Sequence, residues 1–214
     1  MSLLNNNEQN IASKYKTTNK YKKGQAIFNE GFTPYSFYCI LKGNVKLSRI
    51  GGEKIQILRF AKSGDIIGYR SLIADENYST TAIAISDTTV CSLPKNIFLD
   101  ELIYNSELSL KMLKQFAVEL KQADELIINL TQKAGVKRIA ETLIKIKDFY
   151  GQNDKTNALN ISFSRNEIAS IACVSTESCI RMLAELKKQG VINLVNREIQ
   201  INDFPKLKII ANSK

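Results

Sequence analysis

The 214-residue chain contains no histidine. That removes Ser–His–Asp triads, His-ligated zinc and His-ligated haem. Its four cysteines, Cys39, Cys91, Cys173 and Cys179, form no C-x-x-C pair and no spacing suited to an iron–sulfur cluster. Cys39 and Cys91 sit in strand-like runs and read as small buried hydrophobes. Cys173 and Cys179 read the same way, although they are close enough in sequence for a redox pair. No apolar run approaches the ~20 residues that span a bilayer. The opening MSLLNNNEQN has neither the basic start nor the apolar stretch of a secretion signal. The expectation is a cytoplasmic protein with no membrane partner. No P-loop, metal cluster or nucleophile–base set is visible, so no catalytic or metal-binding residue is assigned and no enzyme is expected.

What the chain does have is positive charge, a formal +9 at neutral pH. Residues 136–214 carry 13 Lys+Arg against 8 Asp+Glu, and the longer stretch 1–135 carries 17 against 13. The basic excess is denser toward the C-terminus, which favours a polyanionic partner there.

That end also holds the most patterned segment, SRNEIASIACVSTESCIRMLAELKKQG, from Ser164 to Gly190. Ser164 followed by Glu167 is a capping box that starts a short helix. Ile168, Ala169, Ile171 and Ala172 give that helix a narrow apolar stripe. Ser175 is a second N-cap, and the helix after it buries Cys179, Met182, Leu183 and Leu186 before ending at Gly190. Thr176, Glu177, Ile180 and Arg181 occupy the opposite face. An exposed Glu and Arg one turn apart suit a major groove, where Arg grips guanine and Glu accepts from cytosine N4. The pattern is that of a helix-turn-helix. The alternative is an αα-hairpin in which Glu177 and Arg181 form an ordinary surface pair.

Three segments precede and surround it. From about Tyr21 to Leu93, seven of the ten glycines punctuate short β-rich runs: AIF (26–28), FYCIL (37–41), NVKLSRI (44–50), EKIQILRF (53–60), TTAIAI (80–85) and TTVCSLP (88–94). Gly51-Gly52 between two alternating runs signals a hairpin. This predicts a small antiparallel barrel or roll. From Ser106 to Ala134, Leu113, Phe116, Leu120, Ala123, Ile127, Leu130 and Ala134 recur at spacings of three and four, an a/d seam that suits packing on the roll or a parallel homodimer equally well. The third segment runs from a helix at 136–150 through a polar loop and a strand, ALNISF. The helix-turn-helix follows, then a hairpin turning at Asn196-Arg197, which suits a wing beside the recognition helix, an edge hairpin completing a small sheet, or both. Lys206 and Lys208 read as part of a solvated tail. The fold class is therefore α+β: a jelly-roll-like domain at 1–105, a long helix at 106–135 and a winged helix-turn-helix at 136–214.

This order of parts resembles the Crp/Fnr family of bacterial transcription regulators. The resemblance is carried by KKGQAIFNEG (22–31), FYCILKGNVKL (37–47), SGDIIG (63–68), AISDTTVCSLP (84–94), KRIAETL (137–143) and SRNEIASIACVSTESCIRML (164–183). It implies sequence-specific binding to double-stranded DNA by a homodimer joined along the long helix. Leu113, Phe116, Leu120, Ala123, Ile127 and Leu130 would then lie at the interface. Two recognition helices would enter successive major grooves of a palindromic site, about 34 Å apart. Glu177 and Arg181 fall on the family's base-reading positions, with Ser175 and Thr176 at the helix start. Arg165 matches a backbone-contacting residue, and Asn196 and Arg197 match the wing turn. Ile180 stands where some members carry Ser or Gly, and offers only apolar contact. RNA polymerase is a further implied partner.

The sensing half departs from the family. Cyclic-AMP-binding members place a Glu after the Gly that corresponds to Gly68, and an Arg-Ser pair before a later alanine. Here Tyr69 and Arg70 follow Gly68, and Thr80 and Thr81 precede Ala82. The Thr-Ser pair contributed by the long helix falls on Ala123 and Asp124. A buried cyclic phosphate would lack its usual cation unless Arg70 substitutes from another side, so either an effector at Gly68, Tyr69, Arg70, Thr80, Thr81, Ala123 and Asp124 differs from cyclic AMP or the roll is only a scaffold. No cofactor is expected. The alternative function is a ligand-binding or protein-interaction module without specific DNA binding.

Overall fold

The computed structural model describes residues 14–52, 54–97, 99 and 104–212, in two compact units divided between Lys121 and Gln122. The first thirteen residues, assigned above to the roll, lie outside the described part. The first unit holds β1 (Thr17–Tyr21), β2 (Ala26–Phe28), β3 (Ser36–Lys42), β4 (Asn44–Gly51), β5 (Lys54–Lys62), β6 (Ile66–Ile67), a short α1 (Tyr69–Ile73), β7 (Thr81–Ala84) and β8 (Thr88–Pro94). Two four-stranded antiparallel sheets form, in the orders β1-β8-β3-β6 and β2-β7-β4-β5. This is the expected antiparallel roll. At Gly43, between β3 and β4, φ is +95° and an added Cβ would stand 2.6 Å from the Asp87 carbonyl oxygen, so only glycine fits without moving the backbone.

The first sheet is covered on both faces, which is why β8 reads as nearly continuous apolar sequence. Val90 and Ile40 point into the roll with Val45, Leu47, Ile67 and Ala82. Cys39 and Cys91 are direct partners across β3 and β8 and are buried on the other face with Phe37, Tyr69, Leu72 and Leu93, as small hydrophobes.

The start of α2 (Ser106–Gln132) covers that second face. Met112 is buried in the cluster, and the Phe116 ring lies 5.4 Å from that of Tyr69. Phe116 therefore serves its own roll, whereas Leu113 and Leu120, each 65% exposed, and Ile127, 61% exposed, lie on another side of the helix. The last position of the periodic seam is corrected: Ala134 is outside α2, with extended backbone at φ −60° and ψ 150°, and caps the next helix.

Among the inward-facing side chains of α2 is a carboxylate. Glu119 is 8% exposed. It accepts from Arg59 Nη1 at 2.7 Å, Arg70 Nε at 2.7 Å, the Tyr69 hydroxyl at 2.9 Å and Gln115 Nε2 at 3.2 Å. A buried charge survives only when paired and hydrogen-bonded, and here four residues donate to it.

The second unit holds the remainder of α2, then α3 (Gly135–Tyr150), α4 (Arg165–Ile171), α5 (Thr176–Lys188), β9 (Ile192–Val195), β10 (Glu198–Ile201) and α6 (Phe204–Asn212). Ile139, Leu143, Ile168, Leu183, Leu186, Ile192 and Leu207 form its core. Two expectations change. ALNISF is not a full strand: Ala158 and Leu159 form isolated bridges, Leu159 N–H donating to the Ile199 carbonyl at 2.9 Å. The left-handed Asn157 (φ +55°) precedes this pairing, and beyond it Phe163 turns into the core ahead of the Ser164 cap. The presumed tail carrying Lys206 and Lys208 is α6, with Leu207 and Ala211 buried and the Lys206 N–H capped by Asp203 Oδ1 at 2.9 Å.

The Glu119 arrangement has a pH consequence. Burial alone would raise its pKa, but Arg59 and the hydrogen bonds from Arg70, Gln115 and Tyr69 outweigh burial and hold it below the usual value. A carboxyl depressed in the folded state adds stability above its unfolded pKa and loses it as pH falls through the folded one. Glu119→Gln should cost about 2 kcal/mol at neutral pH, less than the ~3–5 of a fully buried pair because both arginines are partly solvated. Urea unfolding of the roll, followed through its tyrosines, should show that gap closing in acid. An equal cost at neutral and acid pH would mean that the charge is not what stabilises.

Candidate nucleic-acid interface

The helix-turn-helix is fixed at four backbone points. At the start of α4, Glu167 N–H donates to Ser164 Oγ at 3.2 Å and Ser164 N–H donates to Glu167 Oε2 at 3.0 Å, the full capping box. At its end, Cys173 N–H donates to the Ser170 carbonyl at 3.1 Å and Val174 N–H to that of Ala169 at 3.0 Å. That pair of bonds is a Schellman closure, with Cys173 in the left-handed region at φ +52°. Ser175 Oγ accepts from Ser178 N–H at 3.1 Å to begin α5. Gly190, at φ +75°, ends it through Gly190 N–H to Lys187 and Val191 N–H to Leu186.

Packing sets which face is left over. Cys179, Leu183 and Leu186 are fully buried, and Ala169 and Ala172 of α4 are small and buried beneath them. Burial pushes the Cys179 thiol up to about 11, with Arg165 acting weakly the other way, so Cys179 is a neutral packing residue. Glu177, Ile180 and Arg181 stay exposed on the opposite side. Ile180, an apolar side chain 52% exposed between two charges, has no partner in its own core.

The other predicted positions differ in freedom. Ser175 is exposed, but its hydroxyl serves the cap and also donates to Ser178 Oγ at 2.9 Å. Thr176 is half-buried and donates to Asn166 Oδ1 at 2.8 Å, tying α5 to α4. Arg165 is half-buried, and its Nη1 has no hydrogen-bond partner among the described residues. Asn196, at φ +53°, and Arg197 are exposed at the tip of the β9–β10 wing, and the Arg197 carbonyl accepts from Ser162 Oγ at 3.1 Å. Sequence reasoning missed Asn166 and Ser162, because a side chain's partner across two loops leaves no local pattern.

The expected sensing residues are also placed. Gly68 is left-handed at φ +85° and packs against the Tyr78 ring. Tyr69 is buried and Arg70 half exposed, both bonded to Glu119. Thr81 Oγ1 accepts from Glu30 N–H at 3.1 Å, and Thr80 is half-buried. Ala123 and Asp124 belong to the second unit and are exposed on α2. Arg70 is held by the Glu119 carboxylate together with Arg59. Among the described residues, no three His, Cys, Asp or Glu side chains gather as a metal site, and no helix is long and apolar enough to cross a membrane.

Two family models match: a cyclic nucleotide-binding domain over residues 18–105 and a Crp-like helix-turn-helix domain over 137–210. The chain belongs to the Crp/Fnr family of transcription regulators. Family members are DNA-binding regulators, not enzymes, and a binding module without specific DNA recognition is not the favoured reading. Among relatives, an anaerobic regulatory protein of Bacillus subtilis is 27% identical over 90% of this chain and 82% of its own. The transcriptional activator protein FnrA of Stutzerimonas stutzeri is 27% identical over 85% and 75%. A Crp/Fnr-family regulator from Eubacterium rectale shares the fold with a TM-score of 0.83, at 20% identity over 98% of this chain and 96% of that one. The Crp/Fnr members are thus matched across both units, including the half whose sensing residues depart.

The left-handed Cys173 is a measurable strain. A non-glycine residue pays about 1–2 kcal/mol there, part of which glycine returns as unfolded-chain entropy. Cys173→Gly should stabilise the second unit by about 0.5–1 kcal/mol in thermal unfolding. A loss of stability would show that the thiol's own packing outweighs the strain.

Proposed function

We propose that this chain acts in the cytoplasm as a homodimer that reads a palindromic promoter site and regulates transcription in contact with RNA polymerase. The observation that carries the reading is the exposed Glu177–Ile180–Arg181 face of α5, held outward by caps at both ends and by a fully buried opposite face. Arg181 would donate in bidentate fashion to a guanine, Glu177 accept from a cytosine amine, and Ile180 contact a thymine methyl. The N-terminus of α5, with the amides beside Ser175 and Thr176, suits a phosphate. Arg165, Asn196 and Arg197 would position the unit on the backbone without reading sequence.

The dimer is supported by the stripe that α2 leaves uncovered. Leu113, Leu120 and Ile127 recur every seven residues and are all more than 60% exposed in the single chain. A heptad stripe of that length is a coiled-coil seam lacking its second strand. Ala123 and Leu130 flank it, whereas Phe116 faces the roll.

The effector is the looser part of the proposal. A small molecule other than cyclic AMP would have to act on a roll whose Arg70 is bound to Glu119 of α2. A ligand that competes for that arginine shifts α2, and this is how occupancy would reach the DNA-binding unit. No metal or haem is needed. Cys39 and Cys91 are buried in the sheet, and Cys173 and Cys179 belong to the helix-turn-helix.

Arg181→Ala tests the recognition face. Its affinity for sites footprinted by the wild type should fall by ~1–3 kcal/mol, with preference relaxed at one guanine per half-site. Equal affinity and unchanged preference would remove α5 from base reading.

A further inference from the structure

Arg138 lies in the first turn of α3, and its guanidinium reaches two other elements. Nη1 donates to the Leu130 carbonyl at 3.0 Å, in the last turn of α2. Nη2 donates to the Cys173 carbonyl at 3.2 Å, at the left-handed turn between α4 and α5. The Leu130 carbonyl is one that a helix end leaves without an intrahelical partner, and the Cys173 carbonyl belongs to the turn. The planar fork of an arginine can hold two carbonyls in a fixed relation, which the point-like ammonium of lysine cannot reproduce. Arg138 Nε is buried without a hydrogen-bond partner among the described residues, so the side chain is confined at this junction rather than solvated.

Two neighbours tighten the same place. Gly135, the first residue of α3, lies against α5 so closely that an added Cβ would stand 2.5 Å from Met182 Cε. Lys133, just past α2, pairs with Glu141 of α3. Leu130, Arg138, Cys173 and Met182 all belong to the second unit. The end of the long helix and the turn that aims α5 thus share one arginine.

We propose that Arg138 is a positioning residue for DNA recognition, tying the last turn of α2 to the Cys173 turn so that the aim of α5 follows the long helix. The proposal rests on the reading of α5 as the recognition helix. It differs from two other roles open to a basic residue in this unit. A phosphate contact would depend on charge alone, and a purely structural residue would affect folding but not discrimination between DNA sequences.

The experiment uses the full-length protein and two probes: a duplex selected from a randomised pool by the wild type, and an unselected random duplex. Arg138→Lys keeps the charge and loses the fork, and Arg138→Gln loses both. The expected result is that each variant lowers the ratio of selected to random affinity roughly tenfold. The slope of log affinity against log salt should stay at the wild-type value in both. A slope reduced by about 0.9 in Arg138→Gln alone, with the Arg138→Lys ratio intact, would make Arg138 a phosphate contact. A lowered unfolding midpoint with an unchanged ratio would make it structural. Either outcome overturns the proposal. If the wild type itself shows no preference between the duplexes, the recognition-helix reading has failed instead.

Discussion

The turn at Cys173 is the constraint on which the DNA-facing geometry depends. Two helices can present one of them to a partner only if the chain between them reverses in a fixed way. Here the reversal is a Schellman closure through a left-handed residue that is not glycine. Its strain, about 1–2 kcal/mol, is small beside the burial that it permits. Leu183 and Leu186 alone, each fully buried, supply about 1.5–3 kcal/mol apiece. Burial therefore wins and the turn is held. What remains outside is the exposed face of Glu177, Ile180 and Arg181.

The roll obeys a different constraint. Glu119 places a carboxylate among apolar side chains, where it is tolerated only because Arg59, Arg70, Tyr69 and Gln115 all donate to it. Buried ion pairs add little net stability over a well-packed apolar contact, but they define orientation. Glu119 fixes which side of α2 faces the roll, and so which side is left exposed. The same contact engages Arg70, two residues after Gly68.

Much of this was legible in the sequence wherever the physics is local. Ser164 with Glu167, Ser175 and Gly190 mark helix ends through bonds spanning a few residues, and each is found in place. The strands were visible because glycines and alternating residues report hairpins. Periodicity in α2 showed an apolar helix but not its two audiences. Phe116 and Leu113 lie three residues apart, yet one packs on Tyr69 and the other is exposed. Nothing in a spacing of three and four separates them. Glu119 was overlooked because three of its four partners lie at positions 59, 69 and 70. Cys173 hid the left-handed turn that a glycine would have announced. The C-terminal helix was signalled by Asp203 as a cap, with Leu207 and Ala211 four apart, but two lysines suggested a tail.

If two copies of α5 read DNA together, sequences selected by the wild-type protein from a fully randomised duplex pool should be inverted repeats whose half-site centres lie about 10 base pairs, one helical turn, apart. Recovery of an asymmetric single site, or of no preferred sequence, would mean that they do not.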